Sequence, residues 1–211
     1  MQRFVRAGLY LVTSGSLSGA RGTLEVVRLA LRAGVRLIQL REKELGMREF
    51  AVLAKTVRRM TAESGALLIV NDRLDIAMAV DADGVHLGQD DFPIPEARRL
   101  APDLVIGAST HSVDEAIRVQ EDGASYLNIG PLFPTRTKAW GNRFLGIDGL
   151  KEIMPHVRIP FTVMGGIKKE HIPALLKAGA RTIAVVTAVP AADDPGRAAA
   201  QLLALCRDAK D

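Results

Sequence analysis

Short apolar runs rich in β-branched residues alternate eight times with amphipathic stretches along this chain of 211 residues. The runs predict strands over residues 9–13, 36–41, 67–71, 84–87, 105–108, 126–129, 161–164 and 182–186. The stretches predict helices over residues 23–33, 47–64, 75–80, 95–100, 113–122, 149–154, 169–178 and 195–207. Eight strand-then-helix units with short connections favour a closed parallel (β/α)8 barrel. The length suits one such TIM-barrel catalytic domain over residues 1–211.

A doubly wound open sheet is the alternative arrangement of such units. Its first turn usually carries the pattern Gly-x-Gly-x-x-Gly, which this chain lacks, and the Walker pattern for phosphate binding is absent as well. The apolar fraction of 48% is enough for a sizeable core. The sequence therefore favours the closed barrel.

Composition and charge narrow the classes of partner. The net charge of +4 comes from dispersed basic residues, and aromatic residues at 4% are too few for a nucleic-acid stacking platform. No apolar run approaches the roughly 18–20 residues of a membrane span. With Cys206 as the single cysteine, an internal disulfide is impossible, and a reducing compartment is the simplest expectation. We expect a cytoplasmic protein that binds small anionic molecules, without nucleic acid or membrane partners.

Polar residues concentrate just after the predicted strands. In a (β/α)8 barrel these positions meet at one end, where the chemistry of such barrels takes place. The residues at these positions are Gln39, Arg41, Lys43, Asn71, Asp72, Asp91, Ser109, Thr135, Thr137, Lys138, Gly165, Gly166 and Thr187. Their shared location is the strongest indication of function in the sequence.

Two cations follow the second predicted strand. Gln39, Arg41 and Lys43 occupy every second position. Because side chains alternate between the two faces of a strand, these three would share one face, where Arg41 and Lys43 could bind a polyanion. The alternative is a solvated strand end whose cations pair with Glu42 and Glu44. Both interpretations remain open from the sequence.

Asp72 and Asp91 follow neighbouring predicted strands. Two carboxylates that converge near cations are typical of a Mg²⁺ site that substrate phosphate oxygens and water complete. Asp72 could instead cap the helix that begins near Leu74, and Asp91 could hold the turn before Pro93.

Gly165 and Gly166 follow the seventh predicted strand, and Thr187 follows the eighth. Loops at these two places commonly bind a monophosphate in barrels, although a plain turn is the alternative. His86 is predicted to be a hydrogen-bonded barrel residue, and His111 to lie at the start of a helix. Two anion sites in one barrel mouth indicate two phosphorylated substrates, or one substrate with two anionic ends.

Motifs along nearly the whole chain resemble, in order, those of the thiamine-phosphate synthase family. They are Leu9-Tyr10-Leu11-Val12-Thr13, Gln39-Leu40-Arg41-Glu42-Lys43, Asn71-Asp72, Asp83-Gly84-Val85-His86-Leu87-Gly88-Gln89 with Asp91, Gly107-Ala108-Ser109, Gly130-Pro131 with Thr135, Thr137 and Lys138, Gly165-Gly166-Ile167, and Val186-Thr187-Ala188. Each motif is weak alone, and the ordered set is highly specific.

The resemblance implies a role for each matching position. Diphosphate-binding positions are matched by Arg41, Lys43, Asn71 and Lys138, and the Mg²⁺ ligands by Asp72 and Asp91. Positions near the aminopyrimidine and the diphosphate are matched by Gln39 and Ser109, and the thiazole-phosphate site by Thr135, Thr137, Gly166, Val186 and Thr187. It further implies that Ser109, Lys138 and Arg41 assist catalysis.

The reaction implied by the resemblance expels pyrophosphate from 4-amino-2-methyl-5-pyrimidinylmethyl diphosphate. The nitrogen of 4-methyl-5-(2-phosphooxyethyl)thiazole, or of its carboxylated form, then captures the resulting carbocation. A thiazole tautomerase on the same scaffold is the nearest rival; it shares a histidine near His111 but would not need Asp72, Asp91 and Lys138. A non-catalytic thiamine-precursor binding protein is the other alternative. The sequence is compatible with a monomer or a homodimer.

Overall fold

The computed structural model describes residues 1–135, 141 and 143–208 and shows a closed barrel of eight parallel strands. The strands are β1 (Leu9–Val12), β2 (Leu37–Leu40), β3 (Leu67–Asn71), β4 (Gly84–Leu87), β5 (Val105–Thr110), β6 (Tyr126–Ile129), β7 (Phe161–Val163) and β8 (Ile183–Val185). Each strand pairs with the next, and β8 returns to β1 with Ile183 opposite Leu9. The predicted fold class is confirmed.

Helices follow the strands around the outside of the barrel, except for the first helix, which precedes β1. They are α1 (Gln2–Arg6), α2 (Gly15–Ser18), α3 (Gly22–Arg32), α4 (Met47–Glu63), α5 (Leu74–Ala79), α6 (Ile94–Leu100), α7 (Val113–Glu121), α8 (Gly146–Ile153), α9 (Ile172–Lys177) and α10 (Pro195–Asp208). Short 3-10 turns lie at Gly19–Arg21, Met154–His156 and Lys169–His171. Within the described residues, no helix has the length and apolar composition that a bilayer span requires.

Several strand ends differ from the sequence prediction by one or two residues, and two of these differences change the placement of site residues. β2 ends at Leu40, because the backbone N–H of Arg41 donates to the Thr13 hydroxyl (2.9 Å) rather than to a neighbouring strand. β5 continues to Thr110, because Ser109 and Thr110 still pair with β6. Arg41 and Lys43 therefore lie on a loop, and Ser109 lies within a strand.

The core has an outer and an inner part. Alternate strand residues such as Leu9 and Leu11 pack outward against the helices, as the period of two along a strand requires. Tyr10 and Tyr126 pack inside the barrel with Leu37, Leu67, Ile69 and Ala184. The N-terminal helix α1, which was not predicted, places Phe4 against both tyrosine rings, with ring centroids 6.0 and 4.2 Å away. Phe4 thereby fills the barrel below the tyrosines.

Candidate active site

A pocket lies at the carboxyl end of the barrel and is lined by residues that follow β5, β6, β7 and β8 as well as by strand residues. Its walls bring together five of the predicted site residues, Ser109, Thr135, Gly166, Val186 and Thr187. His111, Asn128 and Met164 also line it. Thr137 and Lys138 lie outside the described residues, so their roles stay predictions.

The glycine pair after β7 is required by close packing. Gly165 and Gly166 have φ angles of 102° and 61°, which favour glycine. A Cβ on Gly166 would lie 2.3 Å from the carbonyl oxygen of Pro134, and one on Gly165 would lie 2.5 Å from Pro131 Cα. The Phe133 N–H also donates to the Gly165 carbonyl (2.9 Å). The loops after β6 and β7 thus pack directly on each other beside the pocket.

The cations after β2 do not pair with the adjacent glutamates. Glu42 accepts hydrogen bonds from the Thr13 and Thr23 hydroxyls (2.8 and 2.7 Å) and from the Gly15 N–H (2.6 Å). Within the described part of the chain, no ion pair joins Glu42 or Glu44 to Arg41 or Lys43. The paired-glutamate interpretation is therefore wrong for these residues.

Gln39 is separated from the two cations. Its side chain is buried inside the barrel and donates to the Tyr10 hydroxyl (2.8 Å), whereas Arg41 and Lys43 line a depression with Ser14 and Gly15 outside the strand. The prediction that the three share one strand face is wrong, because β2 ends before Arg41.

Asp72 and Asp91 converge beside a lysine. Lys43 Nζ lies 3.4 Å from Asp72 Oδ2. Burial raises the pKa of Asp72 above its ordinary value, and the neighbouring Asp91 carboxyl raises it further, although Lys43 opposes the shift. Such a shift indicates two carboxylates close enough to repel each other when both are charged.

The alternative roles considered for the two aspartates were a helix cap for Asp72 and a turn residue for Asp91, and only the second is observed. The N-cap of α5 is Arg73, so Asp72 lies before the cap, in a left-handed conformation (φ 61°) that aspartate tolerates better than most residues. Asp91 Oδ2 accepts the Gly88 N–H (2.6 Å) and so does hold its own turn. Asp91 retains further acceptor capacity toward Asp72, since a carboxylate can accept several hydrogen bonds.

This donor set fits Mg²⁺ better than a metal that needs an all-protein cage. Within the described residues, no group of three or more His, Cys, Asp or Glu side chains could hold a metal ion. Mg²⁺ commonly uses one or two carboxylates and takes its other ligands from water and substrate phosphates. A divalent cation between Asp72 and Asp91 would also relieve the repulsion that raises the pKa of Asp72.

His86 lies inside the barrel, as predicted. Its Nδ1 is 2.9 Å from the Tyr126 hydroxyl and its Nε2 is 3.0 Å from Ser109 Oγ. Burial lowers the pKa of His86 to about 4, and the same removal from water raises the pKa of Tyr10 and of Tyr126. The sequence analysis missed the two tyrosines, although Tyr10 interrupts the aliphatic strand β1 and Tyr126 begins β6.

His111 also lies where predicted, just before α7, which Ser112 caps. The His111 imidazole has Nδ1 2.7 Å from Glu115 Oε2, and its ring lines the pocket. Asn71 is the last residue of β3 and is buried.

The profile of a protein family described as thiamine monophosphate synthase matches residues 9–189. The chain belongs to this family. It is 46% identical over 197 residues to a thiamine-phosphate synthase of Chloroflexus aurantiacus, which covers 93% of this chain and 91% of that protein. A thiamine-phosphate synthase of Moorella thermoacetica is 45% identical over 195 residues, covering 92% and 93%. The resemblance inferred from the motifs is confirmed, and the protein is an enzyme, a transferase of thiamine biosynthesis.

Solved structures agree. The thiamine phosphate pyrophosphorylase from Pyrococcus furiosus superposes with a TM-score of 0.92 at 40% identity, with both chains covered completely. A 3-hexulose-6-phosphate synthase, at 22% identity and a TM-score of 0.67 over 93% of this chain and 99% of that one, shares the fold.

Proposed function

We propose that this protein joins the pyrimidine-methyl diphosphate to the thiazole phosphate, plain or carboxylated, and releases thiamine phosphate and pyrophosphate by Mg²⁺-assisted dissociative cleavage. The observation that supports this most is the pairing of two anion-suited regions at one end of the barrel. One combines Arg41 and Lys43 with the carboxylate pair, and the other is the pocket beside Gly166 and Thr187. A single barrel would then hold both substrates.

The diphosphate belongs on the side of Arg41 and Lys43. The planar guanidinium of Arg41 suits two phosphate oxygens, and the ammonium of Lys43 supplies a mobile positive charge beside Asp72. Asn71 and Lys138 would complete the set of donors. Asp72 and Asp91 would hold Mg²⁺, which when bound neutralises negative charge on the diphosphate.

Cleavage needs stabilisation of negative charge more than it needs a nucleophilic side chain. When the carbon–oxygen bond breaks, its electron pair leaves with pyrophosphate, and the aminopyrimidine ring stabilises the methylene cation. The lone pair of the thiazole nitrogen then forms the new carbon–nitrogen bond. Arg41, Ser109 and Lys138 would donate to the departing oxygens, where interactions that strengthen in the transition state lower the barrier.

The thiazole phosphate belongs in the pocket beyond β7 and β8. Gly165 and Gly166 line this pocket without a side chain to cover their backbone, and Thr187, which also lines it, offers a hydroxyl. Val186 and Met164 supply apolar surface for the ring. Thr135 lines the same pocket, and the resemblance assigns Thr137 to the same substrate.

We also propose that the protein acts in the cytoplasm on small molecules and binds neither nucleic acid nor membrane. Cys206, the single cysteine of the sequence, is buried against the core, and a chain without a cysteine framework is compatible with a reducing compartment.

A thiazole tautomerase is the second candidate, because His111 lies on the wall of the proposed thiazole pocket. Mixing both substrates with Mg²⁺ and measuring pyrophosphate release separates the candidates. A synthase releases pyrophosphate, whereas a tautomerase isomerises the thiazole and releases none. A binding protein does neither.

Asp72→Asn and Asp91→Asn should each lower turnover on the order of 100-fold, because each removes a charge that holds the cation beside the diphosphate. Pyrophosphate release over a Mg²⁺ titration measures this loss, and unfolding curves check that the fold is kept. Asp90→Asn is the matched control, since Asp90 is exposed on the same loop. Near-normal turnover of both variants would remove these residues from the metal site.

Lys138→Ala should slow single-turnover formation of thiamine phosphate roughly 10- to 150-fold, which corresponds to one charge-assisted contact of about 1.5–3 kcal/mol. Affinity for the thiazole phosphate should hardly change. Lys138→Arg should restore part of the rate, and Lys151→Ala, on α8, serves as the control. An unchanged single-turnover rate in Lys138→Ala would leave the proposed reaction unaffected but would refute the role given to Lys138.

A further inference from the structure

A chain of hydrogen bonds crosses the barrel interior from β2 to β5. Gln39 Nε2 lies 2.8 Å from the Tyr10 hydroxyl, which lies 2.9 Å from the Tyr126 hydroxyl. The Tyr126 hydroxyl lies 2.9 Å from His86 Nδ1, and His86 Nε2 lies 3.0 Å from Ser109 Oγ. The first four of these residues are buried, and Ser109 lines the pocket. The chain therefore ends at the wall of the proposed ligand site.

Each donor in this chain sets the direction of the next bond. The amide nitrogen of Gln39 can only donate, so the proton of the Tyr10 hydroxyl is directed to Tyr126. Tyr126 then donates to Nδ1 of a neutral His86. In this direction, the single N–H of that imidazole would be on Nε2 and would point to Ser109, whose Oγ lies 3.0 Å away. Ser109 Oγ accepts this bond and keeps its own proton for a partner in the pocket.

The opposite direction is the competing arrangement. If the Gln39 amide presented its oxygen to Tyr10, every bond could reverse, and Ser109 would donate to His86. Ser109 would then offer only lone pairs to the pocket, which would repel an anionic oxygen. The tautomer of His86 distinguishes the two arrangements, because the N–H lies on Nε2 in the first and on Nδ1 in the second.

The barrel is shaped to hold the middle of this chain in place. Gly107 faces the ring of Tyr126, and a Cβ there would lie 2.1 Å from Tyr126 Cζ. Phe4 packs on the same ring from below, with centroids 4.2 Å apart. The position of the Tyr126 hydroxyl is thus set by packing on two sides.

We propose that His86 and Tyr126, oriented by Tyr10 and Gln39, are positioning residues that hold the Ser109 hydroxyl as a hydrogen-bond donor toward the leaving pyrophosphate. This inference rests on the proposed function, since it places the departing diphosphate at Ser109. A donor directed in advance costs no reorganisation when charge develops on the leaving group. Stability alone does not require this chain, because replacing buried hydrogen-bond partners by apolar groups of the same shape can be nearly neutral in the free energy of unfolding.

The tautomer of His86 can be measured without any turnover. In isotope-labelled protein at neutral pH, the nitrogen chemical shifts of His86 should show a protonated Nε2 and an unprotonated Nδ1. The opposite tautomer would overturn the proposal. Because no substrate is needed, this result decides the direction of the hydrogen-bond chain whether or not the protein releases pyrophosphate. The absence of pyrophosphate release would refute the proposed function separately.

A double-mutant cycle tests whether the chain acts through Ser109. Ser109→Ala should lower kcat about tenfold or more, with little change in the KM for the thiazole phosphate. Tyr126→Phe and His86→Phe should lower kcat in the same way in the wild type and have no further effect in the Ser109→Ala background. Additive losses would show a purely structural role and overturn the proposal.

Two further variants complete the test. His86→Gln should keep more activity than His86→Phe, because an amide can accept from Tyr126 and donate to Ser109. Thr110→Val is the matched control: Thr110 is buried beside Ser109 on β5, and its hydroxyl donates to the Asn128 carbonyl (3.1 Å) instead. Its kcat should be unchanged. Equal losses in the Gln and Phe variants would contradict the proposed bond from residue 86 to Ser109.

Discussion

At the scale of single residues, burial decides the charge of His86. Its two ring nitrogens face hydroxyl groups of Tyr126 and Ser109 rather than a carboxylate, so the barrel offers no counter-charge in direct contact. Removal from water therefore dominates and lowers the pKa of His86 to about 4. Asp72 shows the same effect with the opposite sign, because burial raises the pKa of an acid.

The shifted pKa of His86 predicts a loss of stability in acid. Below the ordinary pKa of 6.5 the unfolded chain binds a proton that the folded chain refuses until about pH 4, so stability falls as the pH falls through this window. At pH 5 the loss should be about 2 kcal/mol. Urea unfolding at pH 7 and pH 5 should show this excess loss in the wild type relative to His86→Gln.

The control for that measurement is His156→Gln, which removes an exposed histidine. The loss of unfolding free energy between pH 7 and pH 5 should be the same in His156→Gln as in the wild type. If the wild type and His86→Gln lose equal stability between the two pH values, His86 is not held neutral by the fold.

At the scale of elements, the lengths of strands and the packing of loops place the site. The early end of β2 moves Arg41 and Lys43 onto a loop, and Lys43 there reaches Asp72 at the end of β3. The longer β5 keeps Ser109 in regular pairing with Asn128 of β6. The loop after β6 rests on the glycine pair after β7, so the pocket wall depends on two loops at once.

Gly166→Ala should weaken thiazole-phosphate binding at least about tenfold, because the new Cβ would lie 2.3 Å from the Pro134 carbonyl and displace the backbone beside the phosphate. Calorimetric titration measures the affinity. Gly65→Ala is the matched control, since Gly65 has a similar φ of +64° and no atom within 4 Å of a Cβ.

Gly65→Ala should cost only the strain of a left-handed alanine, roughly 1–2 kcal/mol in the free energy of unfolding, with unchanged affinity. Equal affinities of the two variants for the thiazole phosphate would show that the close approach at Gly166 does not shape this site.

At the scale of the whole molecule, the barrel is closed at its lower end by a helix outside the eightfold repeat. The side chain of Phe4 on α1 is buried against Tyr10 and Tyr126, which also lie in the middle of the hydrogen-bond chain from Gln39 to Ser109. The lower end of the barrel and the pocket at its upper end are thereby parts of one packed interior.

Phe4→Ala should lower the free energy of unfolding by about 3–5 kcal/mol, because it leaves a cavity under two buried rings. Val5→Ala is the control on the same helix, where the side chain is 39% exposed, and should change stability by less than about 0.5 kcal/mol. Urea unfolding measures both. A small effect of Phe4→Ala would mean that α1 is not part of the cooperative core.

The order of strands and helices was determined by the sequence itself. The bounds of β3, β4 and β6 agree with the prediction, because each is a short apolar run between turn residues and needs no distant partner to be recognised. The predicted grouping of polar residues at one end follows from the parallel repeat alone. The helix α1 escaped prediction because its five residues are too few for a periodic pattern.

Only the tertiary structure decided which side chains meet inside the barrel. Tyr10 and Tyr126 are separated by 116 residues, and their hydroxyls come together because closure and strand register bring β1 and β6 across the interior. The same register places His86 between Tyr126 and Ser109. Local periodicity tells which face of a strand is buried, but the partner on that face depends on the stagger between strands, which no short segment encodes.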